Sequence, residues 1–65
     1  MENPKVGMRF LTMTGVHTIT KLIDDFGGGF YHTYNDGKRT VKDAFMYNIA
    51  FQRLHKCGAI VVLRN

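Results

Sequence analysis

The side chains of this 65-residue chain with types suited to chemistry are three histidines, one cysteine and two adjacent aspartates. Metal sites favour short pairs, such as two histidines on one helical face or Cys-x-x-Cys. His17, His32 and His55 form no such pair. His17 and His32 can meet only across neighbouring strands. His55 and Cys57 are two apart, and residues at i and i+2 do not face each other on a helix. Asp24 and Asp25 are neighbours, and neighbours on a strand point to opposite faces. No metal-ligating or catalytic residue is therefore assigned. A structural or surface role is expected for each histidine, and no enzyme activity, cofactor or small-molecule substrate is expected.

The run Gly27-Gly28-Gly29 raises the question of a phosphate loop. Such loops aim backbone N–H groups at an anion and open a helix. Here the glycines lead into "FYHTY", no Lys-Ser or Lys-Thr follows, and Asp24 and Asp25 precede them. Neither P-loop nor dinucleotide spacing is present. The run is expected to be a turn between two strands.

Two contact surfaces remain. In the first, Phe45 and Ile49 lie off the main apolar stripe of a helix, beside Gln52, Arg53 and Lys56. An apolar patch rimmed by polar groups marks a protein contact. In the second, the aromatic strand from Phe30 to Tyr34 lies beside Lys38, Arg39 and Lys42. Exposed aromatics stack on bases while cations meet phosphates, as in sheets that bind single-stranded nucleic acid. If Phe30 and Tyr34 are core, Tyr31 alone of the rings faces out, and the nucleic-acid site is Tyr31 with Lys38, Arg39 and Lys42.

The elements that must position these residues follow from hydrophobic period. "VGMRFLTMT" reads as a strand with Val6, Met8 and Phe10 on one side. Thr14-Gly15 reads as a turn, and "VHTITKLID" as a second strand with His17, Ile19, Lys21 and Ile23 on one face. "FYHTYN" is a third strand. Asp36-Gly37 predicts a two-residue hairpin that pairs Asn35 with Lys38 and Tyr34 with Arg39, with a short fourth strand after it. A helix is predicted over about 41–57, capped by Thr40 or Asp43 and stopped by Gly58. Its main face would hold Met46, Tyr47, Ala50, Phe51, Leu54 and Cys57. "AIVVL" reads as a last strand, central in the sheet. The fold class is α+β, in the order β-β-β-β-α-β, expected as one domain over 1–65.

This order resembles the small SH3-like barrels: a "VGMRF" strand, "HTITKLID", a glycine bend, a hairpin and a final apolar strand. The resemblance is to the stand-alone bacteriophage type and departs from it in the long helix. It implies a curved antiparallel sheet or barrel, and a small inhibitor or modulator of a host nucleic-acid machine such as a defence nuclease or polymerase.

Bulk properties agree with a binding module. Apolar residues make up 45% and charged residues 22%, a globular composition. A domain this small buries only about 60% of its unfolded surface, so a partner would steady it. The net charge of +4 favours an acidic protein surface or a polyanion. From Ala44 onward there is no acid, only Arg53, Lys56 and Arg64. The single cysteine excludes an internal disulfide and suits a cytoplasmic setting. No signal core or membrane span is read, and a complete small gene product is expected. The expected partner is another protein or a second copy of this chain, with DNA or RNA as the alternative.

Overall fold

The computed structural model of the chain describes residues 2–24 and 27–64. Five strands and one helix follow in the order β1 (Arg9–Thr12), β2 (Gly15–Ile23), β3 (Gly29–Asn35), β4 (Thr40–Tyr47), α1 (Asn48–Lys56) and β5 (Val61–Leu63). The strands form one antiparallel sheet in the order β4-β3-β2-β1-β5, with α1 before the last strand. The barrel is not closed: β4 and β5 are its two edges. The final strand is therefore an edge strand, not a central one, paired only with β1.

The core lies on one face of the sheet. Antiparallel partners share a face, and three rows cross the strands on this one. They are Val62, Phe10, His17, Tyr34 and Val41; then Ile19, His32 and Ala44; then Leu22, Phe30 and Met46. The helix covers this face through Phe51, its one buried residue among those described. Phe10, Phe30 and Phe51 are fully buried, with centroids 5.4–5.9 Å apart in edge-to-face contacts. Such geometry adds about 0.5–1.5 kcal/mol per pair to the burial itself. Ile19 and Ile60 complete the cluster.

Two bulges reset the side-chain alternation. Between Ile19 and Lys21, β2 carries one residue more than β3. Lys21 and Ile23 thereby leave the face of His17 and Ile19 for the opposite one, and Leu22 joins the face of Phe30. The hydroxyl of Thr20, the added residue, donates to the Tyr31 carbonyl at 3.3 Å. On β4 the pairs Tyr34–Val41 and His32–Ala44 leave three steps on β4 against two on β3. Asp43 takes φ +58° there, a left-handed conformation that aspartate tolerates better than most residues.

The helix is the main correction to the sequence reading. Residues 41–47 belong to β4, and α1 begins at Asn48 with Tyr47 as its N-cap, without a side-chain cap bond. Neither Thr40 nor Asp43 caps it. Met46 lies on the core face of the sheet, whereas Leu54 and Cys57 are exposed. The helix ends as expected, with Gly58 at φ +87° donating to the His55 carbonyl at 3.2 Å.

The turns also differ in detail. Thr12 pairs with Gly15, so Met13-Thr14 is the first turn. Asn35 pairs with Thr40, so the β3–β4 loop has four residues rather than two. The Asp36 carboxylate accepts the N–H groups of Lys38 at 2.9 Å and Arg39 at 3.0 Å, and Asn35 Oδ1 accepts that of Gly37 at 2.8 Å. These side-chain acceptors satisfy a wider loop than the type I′ turn.

Candidate functional site: the outer face of the sheet

The face of the sheet away from the core is built from the alternate residues of the same strands. Tyr31 pairs with Phe45, and Gly29 with Tyr47, so Tyr31, Phe45 and Tyr47 stand together there. The Tyr31 and Phe45 rings meet at 5.5 Å and 64°, and Phe45 and Tyr47 at 4.8 Å and 89°. Phe45 is 40% exposed and Tyr47 49%. Lys21 is the register partner of Tyr31 on its other side.

Gly29 explains why Phe45 sits where it does. A Cβ on Gly29 would lie 2.5 Å from Phe45 Cζ and 2.7 Å from the Met46 carbonyl oxygen. The Phe45 ring thus covers bare backbone on the neighbouring strand, the arrangement by which aromatics compensate a strand glycine. Gly27 and Gly28, at φ +84° and +91°, supply the turn expected of the glycine run. Asp25, one of the two acids before the run, lies outside the described residues.

At the far end of the same face, Val61, Leu11 and Val16 form one register row across β5, β1 and β2. All three are exposed. Arg9 and Thr18 form the next row. Among the described residues, no carboxylate occupies a register position on this face.

The expected helix patch is rearranged. Phe45 belongs to β4 and Ile49 to the first turn of α1, so their i, i+4 relationship does not exist. Ile49, Arg53 and Lys56 are exposed on the side of α1 away from Phe51. The Gln52 amide donates to the Glu2 carbonyl, and the carboxylate of Glu2 pairs with Arg64. The basic set is also placed: Lys38 and Arg39 are exposed in the hairpin loop, and Lys42 is exposed on β4 just before the Asp43 bulge. Tyr31 faces out, as expected if Phe30 is core, but it is not alone. Reading β4 as helix hid Tyr47 and Phe45 as its neighbours.

His17 and His32 do meet across strands. Both are buried, and their Nδ1 atoms lie 3.0 Å apart. His17 Nε2 is also in hydrogen-bond range of the Thr12 and Thr14 hydroxyls, at 2.8 and 2.9 Å. Phe10 and Tyr34 stack on the His17 ring, with centroids at 4.8 and 4.3 Å. Burial lowers the pKa of both histidines. For His32, desolvation and then the charge of His17 bring it down to about 4. With both rings neutral, one Nδ1–H donates and the other Nδ1 accepts. The pair ties β2 to β3 and to the first turn. Among the described residues, no three His, Cys, Asp or Glu side chains gather as a metal site.

No helix among the described residues is long and apolar enough to cross a membrane. No protein-family model matches the chain, and neither a curated protein nor a solved structure is similar enough to count as a match.

Proposed function

We propose that this chain is a non-enzymatic binding module that meets another protein through the outer face of its sheet. The observation that carries the reading is the run Tyr31–Phe45–Tyr47, three touching rings held out from regular strands. Rigid aromatic anchors of this kind dominate binding energy at protein interfaces. The row Val61–Leu11–Val16 is a second exposed apolar strip on the same face, set apart from the rings by the row Arg9–Thr18–Thr33. Lys21 on the face, with a net charge of +4 for the chain, favours a partner whose surface carries acids. Together with the sequence resemblance, this fits a small inhibitor or modulator that covers a site on a host nucleic-acid enzyme in the cytoplasm.

Direct binding of single-stranded nucleic acid is the second reading. It is favoured by the three rings together with Lys21, Lys38, Arg39 and Lys42. The ring geometry weighs against it. Successive rings stand 64° and 89° to one another, so they do not offer the series of parallel platforms on which consecutive bases stack.

The test is a comparison of two variants by affinity capture from cells of the native source. Tyr31→Ser with Phe45→Ser should abolish capture of the specific protein while the circular dichroism stays native. Arg53→Ser with Lys56→Ser should leave capture intact. The reverse result would move the site to the helix.

A further inference from the structure

The hydrogen-bond phase of β4 says more about how a partner engages this face. The Asn48 N–H donates to the Gly28 carbonyl at 3.1 Å. Backbone groups along an antiparallel strand alternate between the two sides. Asn48, Met46 and Ala44 therefore turn theirs toward β3, while Phe45 and Tyr47 turn theirs away from it. The Tyr31 carbonyl agrees with this phase, since it points toward β2 and accepts from Thr20. Because β4 is an edge, nothing in the sheet pairs with the outward groups. The Tyr47 carbonyl, as N-cap, accepts the first bond of α1. The Phe45 N–H, the Phe45 carbonyl and the Tyr47 N–H remain to face the open edge.

Edge strands are normally guarded against pairing by bulges, charges or short length. Here the guards are local. Lys42 and the Asp43 bulge protect the upstream half of β4, and β5 is only three residues long. Between the bulge and α1, the stretch Ala44–Tyr47 is left as a short regular edge. It carries the same two residues whose rings form the outer-face cluster.

We propose that the partner docks by adding an extended, acid-bearing segment to this edge, alongside Ala44–Tyr47. The proposal rests on the outer-face reading and specifies its mode. The segment's backbone would bond to Phe45 and Tyr47, and its outward side chains would pack on their rings. Charge selects the occupant. Lys38, Arg39 and Lys42 lie just upstream along the same hairpin. Asp36 and Asp43 lie on the same stretch, so three cations against two carboxylates leave residues 36–43 with a net charge of +1. A second copy would bring a chain that is itself +4 overall against this +4 chain, whereas an acidic segment complements it.

The chain is short enough for total synthesis, so the edge can be altered without touching a side chain. Decapeptides selected from a random library against the protein are expected to be acidic and rich in β-branched residues. They should slow hydrogen exchange at the Phe45 and Tyr47 amides. N-methylation of Phe45, with native circular dichroism as the folding control, should weaken them at least tenfold. Tyr31→Ser should weaken them as well. If Tyr31→Ser weakens binding but N-methylation does not, strand addition is wrong and the outer face stands. If neither matters, both are wrong. Selection of no peptide, or of peptides that leave the Phe45 amide exchanging freely, overturns the proposal. So does a concentration-dependent dimer that protects this amide, or an oligonucleotide that binds the face in preference to the peptides.

Discussion

The Nδ1 atoms of His17 and His32 face each other at 3.0 Å inside the core, an arrangement that admits one hydrogen between them and not two. The pair therefore couples stability to pH. Folded-state pKa values lie below the ordinary 6.5, and that of His32 is about 4. A lowered histidine pKa contributes stability that is fully present above 6.5. As pH falls below that value the unfolded chain takes up protons that the folded pair refuses, and the contribution is lost down to about pH 4.

Urea unfolding between pH 7.5 and 4 should show this directly. Stability is expected to fall by on the order of 1–3 kcal/mol across the window. His32→Phe keeps a ring in place but removes one titrating group. Its stability should fall less steeply over the same range. An equal slope in both proteins would mean that the pair does not set the pH dependence.

Gly29→Ala tests the packing under Phe45. The new methyl would collide with the Phe45 ring and with the Met46 carbonyl, so a cost of about 1–3 kcal/mol is expected. Phe45→Ala in the same background should recover only part of it, because the carbonyl remains. Thermal denaturation of the single and double variants checks this.

Phe51 and Ile49, two residues apart on α1, should respond in opposite ways. Phe51 is fully buried, and Phe51→Ala should cost about 3–5 kcal/mol. A domain of this size has a total stability of about 3–10 kcal/mol, so that variant should be largely unfolded. Ile49 is 63% exposed, and Ile49→Ser should lie within about 0.5 kcal/mol of the parent. Equal effects would contradict the placement of α1.

Much of this fold was legible because β2 and β3 carry clear strand signals, and Gly58 marks the helix end. The start of the helix was not legible, for a physical reason. The Asp43 bulge returns Val41 and Ala44 to one face at a spacing of three, which imitates a helical turn. Ala44 and Met46 add high helix propensity to that false period. Tertiary pairing with β3 overrides both. The Thr20 bulge likewise inverted the faces of Lys21, Leu22 and Ile23, since a bulge is set by the partner strand rather than by its own residues. Alternation within β3 sets Tyr31 opposite Phe30 but leaves open which of the two faces is the core; the burial of Phe30 decides it. The neighbours of Tyr31, Phe45 and Tyr47, could be found only once β4 was known to be a strand.

The central claim is that the outer face, not the helix, is the contact surface. The most direct measurement places a photo-crosslinking phenylalanine analogue at Tyr47 or, separately, at Arg53, in cells of the native source. Illumination should give one discrete protein adduct from position 47 and none from position 53. Adducts from position 53 alone, or nucleic-acid adducts from position 47, would contradict the account.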